Sequence, residues 1–220
     1  PGRDLEGIAF ALDFLKGQNR LLAGECAAAP ISAQGKRVLV IGGGDTGSDC
    51  VGTANRQGAV SVTQVEILPR PPLTHSPSPP GPRCFGKRRT PDVDEGGGAR
   101  LWDVETLGFE GTEGRVSGVR IRRVAWSLSP LGKPERFTPV EGTEEILPAD
   151  LVLLAMGFTG VPENLLAVLP RQTPRPLLAP RAEGSPVFAC GDCVNGPTLV
   201  VRALAEGRRV AAGVLAFLRA

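Results

Sequence analysis

The stretch GKRVLVIGGGDTGSDC, residues 35–50 of a 220-residue chain, carries the residue types and spacing best suited to chemistry. Four branched apolar residues, Val38 to Ile41, run into Gly42-x-Gly44-x-x-Gly47, and a helical pattern opens at Asp45. A glycine pattern alone is weak evidence. Between a strand and a helix it is a dinucleotide fingerprint. Gly42 permits the tight turn out of the strand, Gly44 lets backbone N–H groups approach a pyrophosphate without a Cβ, and Gly47 lets the helix pack close to the sheet. The helix N-terminus, with Asp45 and Thr46, adds N–H donors and the positive end of a dipole. In such folds an acid about twenty residues further on holds a ribose 2′-hydroxyl, and Glu66 is placed for that role. Arg70 follows in the turn LPRPP, where a guanidinium suits a 2′-phosphate. With Glu66 turned away and Arg70 on the phosphate, NADPH is the preferred ligand and NADH the alternative.

A second stretch, VFACGDCVNGPTLVVRALAEGRRVA, places Gly191-Asp192 after a short strand and starts a helix near Thr198. An Asp there can accept hydrogen bonds from ribityl or ribose hydroxyls. The following helix N-terminus can face a flavin pyrimidine edge, where its dipole favours the negative charge of a reduced flavin. A capped turn with no ligand would read the same way. Cys190 and Cys193 are formally C-x-x-C, the spacing of a redox dithiol or a metal half-site. Zinc and iron–sulfur sites need further Cys or His at set spacings. Cys26, Cys50 and Cys84 are isolated, and His75 lies in a Pro/Ser loop. No metal site is expected, and Cys190 reads as a small buried apolar residue.

The elements that must position these residues follow from periodicity. LEGIAFALDFLKGQN has helical spacing, with Gly17 as its stop. Residues 37–41 form a buried strand, residues 45–57 a helix stopped by Gly58, and residues 59–68 a second strand. Together they make a βαβ crossover of about 30 residues. Residues 69–100 are rich in Pro, Gly, Ser and charge and read as a long loop. Strands follow at 115–126 and 135–148. ADLVLLAMGF is a further buried strand ending at Gly157, a candidate cofactor-binding position. A long amphipathic helix closes the chain. Hydrophobic residues make up 41% and charged residues 22%, with a net charge of +2. That is a globular profile with no field suited to nucleic acid or a membrane surface, and no apolar run approaches the roughly 18 residues of a membrane helix. The five scattered cysteines point to a reducing, cytoplasmic setting, or an organelle stroma. The sole Met is Met156, so the chain reads as an internal or C-terminal piece of a longer polypeptide.

Taken together, LDFL (12–15), GKRVLVIGGGDTGSDCVGTANRQGAVSVTQVEILPRPP (35–72), PADLVLLAMGF (148–158) and VFACGDCVNGPTLVVRALAEGR (187–208) resemble the NADPH:flavin oxidoreductase subunit, or fused C-terminal region, of glutamate synthase. The resemblance implies an α/β fold: a Rossmann-like NAD(P)-binding domain inserted in a partial FAD-binding domain of the two-dinucleotide flavoprotein type. It implies a connecting helix and part of the FAD-binding domain at 1–30, the NAD(P)H domain at 31–154, and the C-terminal part of the FAD-binding domain at 155–220. By matched position, Gly42, Gly44, Asp45, Thr46 and Gly47 hold the NADPH pyrophosphate, and Gly191 and Asp192 hold FAD. Thr198, Leu199 and Val200 lie against the flavin ring. Hydride passes from nicotinamide to FAD, then electrons pass through iron–sulfur clusters to the large subunit, where glutamine and 2-oxoglutarate yield glutamate; no side chain of this chain serves as acid or base. The first FAD loop and the cluster cysteines are absent from these residues and are expected upstream, so the chain alone reads as an incomplete enzyme. Two departures stand out. The segment LTHSPSPPGPRCFGKRRTPDVDEGGGAR replaces a Trp/Pro-rich run and acidic helix, and Val194-Asn195-Gly196-Pro197 replaces basic residues after GDC. A pyrimidine-dehydrogenase-like or ferredoxin-type reductase, or an inactive truncated nucleotide-binding module, are the competing readings.

Overall fold

In the computed structural model of the chain, residues 1–70, 98–130, 132, 134–166, 171–172, 177–178 and 186–219 are described. Two compact units divide at Gly157/Phe158. The first is built on a five-stranded sheet, ordered β1 (Ile8–Phe10), β9 (Leu151–Leu154), β2 (Arg37–Ile41), β3 (Ser61–Val65), β4 (Ala99–Leu101), with every neighbouring pair parallel. A parallel sheet is buried on both faces, which explains the uninterrupted apolar runs of β2 and β9. Val38, Val40, Leu151 and Leu153 face one way and pack with Phe14, Cys50, Val51 and Ala54 from helices α1 (Ala11–Leu22) and α2 (Asp45–Arg56). Leu39, Ile41, Val152 and Leu154 face the other way and pack on Val104, Val116, Val119 and Ile121. Those last four belong to an antiparallel sheet of β5 (Val104–Thr112), β6 (Arg115–Leu128), β7 (Pro134–Pro139) and β8 (Glu145–Pro148), in which the long β6 pairs with all three others. The unit is therefore helices, parallel sheet, antiparallel sheet in three layers.

The first thirty residues lie within the first unit: β1 pairs with β9, and α1 packs beside α2. Gly17 does not stop α1 but lies buried inside it, where a Cβ would meet the Pro30 ring at 3.0 Å. The helix ends at Leu22, and Gly24 takes the left-handed conformation beyond it (φ +73°). Gly58 does end α2, with φ +84° and its N–H on Asn55 O. β3 is shorter than the sequence pattern, and 135–148 is two strands separated by a turn. The expected loop of 69–100 falls mostly outside the described residues, but its end is β4. His75 and Cys84 lie outside them too.

In the second unit, α3 (Glu163–Leu166), the antiparallel pair β10 (Arg171–Gln172) and β11 (Leu177–Leu178), α4 (Asp192–Asn195) and α5 (Val200–Leu218) are described. Ala189 and Val194 form its small buried core with Val161 and Cys193 against them, and Phe188 meets Phe217 edge-on at 5.7 Å. Among the described residues no helix is long and apolar enough to cross a membrane.

Candidate functional site

The loop after β2 is held from three sides. Gly42 donates its N–H to Val65 O of β3, and Ala155 N–H donates to Ile41 O, closing the strand end on both neighbours. Gly42 adopts φ +116°, and a Cβ there would lie 2.3 Å from Ala155 O, so only glycine turns the chain here. At Gly47, buried in the first turn of α2, a Cβ would lie 2.2 Å from Gly42 O and 2.7 Å from the Gln64 amide nitrogen. Gly44 is the opposite case: it caps α2 with an ordinary extended backbone, and nothing lies within 4 Å of where its Cβ would stand. That open face, beside a helix whose N-cap offers no side-chain acceptor, is the shape an approaching phosphate needs. Asp45 heads α2 as an exposed residue and Thr46 follows half-buried.

Glu66 is turned inward. Its Oε2 accepts from Gly43 N–H and its Oε1 from Leu68 N–H at 2.9 Å. Of the two placements the sequence leaves open for Glu66, toward the loop or away from it, the structure has the first: two backbone donors draw the carboxylate onto the loop. Gly43, which the fingerprint leaves unspecified, is required by this contact, because a Cβ there would fall 2.6 Å from Glu66 Oε2. Arg70 is exposed at the edge of the described residues, and among them its guanidinium has no hydrogen-bond partner.

Sequence reasoning missed Gln64 and Arg100. Gln64 is 1% exposed. Its Nε2 donates to Gly42 O at 2.7 Å and its Oε1 accepts from Arg100 Nε at 2.5 Å. Arg100 also reaches Ser48 Oγ at 3.3 Å and lies over the Trp102 ring at 5.1 Å. The only signal was one amide amid the branched residues of SVTQV. Cys50, on the buried face of α2, is no nucleophile: burial, with Asp49 adding to it, pushes its thiol up to about 12.

The second set of candidates gathers in the second unit. Gly191 (φ +74°) precedes α4, and its N–H donates to Glu206 Oε2 at 2.8 Å. Glu206 also accepts from Asn195 Nδ2 at 2.5 Å and from Arg209 Nη2 at 2.9 Å. These bonds, the Asn195 one foremost, hold its carboxyl below the ordinary range. Asp192 Oδ1 accepts from Thr198 N–H at 3.1 Å and its hydroxyl at 3.3 Å. An ionised carboxylate has about four acceptor positions, so an exposed Asp192 retains capacity for a hydroxyl ligand. Asp192, Thr198, Val200, Ala203 and Leu204 line an open groove of about 610 Å³ along α5. Leu199, the N-cap of α5, is exposed, as is Val200. The residues fit a flat apolar ring with hydroxyls at one end. Cys190 is exposed rather than buried, and Ala189 takes the core position instead. Cys193 Sγ donates to Cys190 O at 3.1 Å and neither cysteine is in a disulfide. Among the described residues no His/Cys/Asp/Glu cluster could hold a metal. Gly157 (φ +88°) ends the first unit two residues beyond Ala155.

This architecture is the fold of the FAD- and NAD(P)-dependent reductases. Mycobacterium tuberculosis FprA in complex with NADPH matches 99% of the chain at TM-score 0.69 and 20% identity, over 60% of that protein's chain. The thioredoxin reductase of T. acidophilum matches 98% at TM-score 0.65 and 16% identity, over 59% of its chain. By sequence the chain is similar to glutamate synthase small chains, over about half of their length or less. It is 44% identical over 226 residues, 97% of its length, to the glutamate synthase [NADPH] small chain of M. tuberculosis, and 38% identical over 233 residues, 99% of its length, to the glutamate synthase [NADH] of Saccharomyces cerevisiae. It spans 45% of the first protein and 11% of the second. No protein-family model matches the sequence.

Proposed function

We propose that the first unit binds NAD(P)H and that the chain is the nucleotide-binding part of a glutamate-synthase-type flavin oxidoreductase, acting with a large subunit or domain to supply electrons for making glutamate from glutamine and 2-oxoglutarate. The observation that carries this reading is the loop Gly42–Gly47, closed at Gly42 and Gly47 by contacts of the fold and open at Gly44. Its residues would hold the pyrophosphate, while Gly191, Asp192, Thr198, Leu199 and Val200 of the second unit would contribute to an FAD site. When bound, the two cofactors supply hydride and electron transfer; this chain's residues bind and orient them. Gly44→Ala is the test. Its φ of −77° suits alanine and no neighbour obstructs it, so the variant should melt as the wild type does. Titration with ADP-ribose should nonetheless show affinity falling about tenfold or more, the equivalent of about 1.4 kcal/mol. Unchanged affinity, or a wild type that binds no nucleotide, rejects the reading.

The choice of nucleotide has two readings. NADPH, with Arg70 on the 2′-phosphate, agrees with the name of the M. tuberculosis relative. NADH agrees with the name of the yeast relative, and has an observation of its own: Glu66 at the end of β3 is bonded to the loop, and a carboxylate there accepts a 2′-hydroxyl and repels a 2′-phosphate. Paired titrations of wild type, Glu66→Gln and Arg70→Ala decide. Tighter NADH binding, with the gap narrowed in Glu66→Gln, supports Glu66. Tighter NADPH binding lost in Arg70→Ala supports Arg70.

A further inference from the structure

We propose that Gln64 and Arg100 are positioning residues for the dinucleotide: they fix the peptide planes of the glycine loop, and thereby the aim of its N–H donors. This rests on the reading of that loop as a pyrophosphate site. Gln64 and Arg100 are register partners on β3 and β4. From there the pair reaches both ends of the loop. Gln64 Nε2 holds the Gly42 carbonyl at 2.7 Å. Arg100 Nη2 holds Ser48 Oγ at 3.3 Å, and the Ser48 hydroxyl and amide both donate to the Gly44 carbonyl, at 3.3 and 3.0 Å. A peptide unit is planar and trans, so its C=O and the next N–H point in opposite directions. Holding the Gly42 and Gly44 carbonyls toward the protein therefore turns the Gly43 and Asp45 N–H groups away from them, and the Gly43 N–H is thereby aimed at Glu66 Oε2, its partner before any ligand arrives. Released, either carbonyl can rotate and present its negative end to a phosphate.

The bridge is more than filler. An apolar side chain would occupy the Gln64 position without desolvating an amide. A buried amide is tolerated only when its donor and acceptor are both engaged, and here Gly42 O and Arg100 engage them. The fingerprint glycine at 47 also leaves room for it, since a Cβ there would meet Gln64 Nε2 at 2.7 Å. Arg100 is itself braced by the Trp102 ring, so the guanidinium is held in place before any ligand arrives.

The experiment compares wild type, Gln64→Glu, Gln64→Met, Arg100→Lys and Ser48→Ala. For each it measures ADP-ribose affinity by calorimetry, the melting temperature, and the ligand-free amide NMR shifts of Gly43 and Asp45. Gln64→Glu keeps the acceptor for Arg100 and loses the donor to Gly42 O. It should weaken ADP-ribose binding about tenfold, the worth of one well-placed hydrogen bond, with the Gly43 and Asp45 amides shifted and those of Val119 and Ile121 unmoved. Ser48→Ala, which leaves the core intact should Gln64→Met fail to fold, should cost about threefold on the same scale. Arg100→Lys should fall between wild type and Gln64→Met. Folded variants that bind ADP-ribose within twofold of wild type, or with unmoved Gly43 and Asp45 amides, overturn the positioning role while leaving the loop's function standing. A wild type that binds no ADP-ribose overturns both.

Discussion

Two glycines three residues apart have opposite jobs, and alanine distinguishes them. At Gly47 a Cβ would lie 2.2 Å from a backbone oxygen, which cannot move without moving the loop. Alanine gains about 1 kcal/mol of helix propensity over glycine, but overpacking against an immobile neighbour costs about 1–3 kcal/mol or more, so the clash wins. Gly47→Ala should lower the melting temperature by several degrees, about 2–4 °C per kcal/mol for a domain of this size, and weaken nucleotide binding with it. A melt unchanged from wild type would contradict this. Asp150 answers to pH in the same residue-by-residue way. It accepts from Arg37 N–H and Nε at 2.9 Å and from Nη2 at 2.5 Å, tying the start of β2 to the start of β9. The Arg37 side-chain bond is the main reason its carboxyl drops from 3.8 to about 2. A group depressed on folding stabilises the fold above its unfolded value, and that contribution is lost as pH falls from about 4 through about 2. The pair is 44% and 39% exposed, so solvent screening limits it to within about 1 kcal/mol. Asp150→Asn should therefore melt below wild type at pH 7, and the gap should close as the melts are repeated down to pH 2. A gap independent of pH would show that the charge is irrelevant.

At the scale of elements, the two sheets share an apolar core, and one side chain of the antiparallel sheet also reaches the turn after β3. Trp126, in the outer half of β6, donates from Nε1 to Ile67 O at 2.8 Å and stacks tilted against Phe137 of β7 at 5.2 Å. Ile67 immediately follows Glu66, so this bond secures the turn that presents the carboxylate to the loop. Trp126→Phe keeps an aromatic ring beside Phe137 but leaves the carbonyl without its indole donor, at a cost of about 1 kcal/mol. The expected result is a melting temperature about 2–4 °C lower and faster hydrogen exchange at Leu68. No change in either would mean the bond does not anchor the ribbon. The elements readable in advance were those with one dominant signal. β2 and β9 are unbroken apolar runs because a parallel sheet buries both faces, and α2 lies between a glycine fingerprint and a glycine stop. β5 was not readable because its apolar positions, Val104, Leu107 and Phe109, are put out of period by bulges near Gly108 and Gly111. Gly17 was misread because a helical glycine that admits a close neighbour, here Pro30, looks identical in sequence to one that ends a helix. At the site, the glycines were legible from spacing. The inward turn of Glu66 and the bridge from Gln64 to Arg100 were not, since both depend on which strands become neighbours.

For the whole molecule, the two units bury very different interiors. The first encloses fully buried side chains such as Phe14, Leu39, Ile121 and Leu153, on both faces of its parallel sheet. Among the described residues of the second, Ala189 and Val194 are the buried apolar core, and the long helix α5 has no buried residue while Val200, Val201, Leu204 and Leu218 are exposed. Stability follows buried apolar area, and regions with few buried contacts open at lower free energy. Amides of α5 should therefore exchange with deuterium orders of magnitude faster than those of β2 and β9. A ligand that binds the folded first unit adds RT ln(1 + [L]/Kd) to its stability, about 2.7 kcal/mol at a hundredfold excess over Kd. At that concentration ADP-ribose should slow exchange in the most protected amides of β2, β3 and β9 by about a hundredfold, and leave α5 where it was. Exchange mass spectrometry with and without ADP-ribose measures both effects. Protection of α5 equal to that of β2 would refute the difference in stability, and equal slowing in both units would refute a nucleotide site confined to the first.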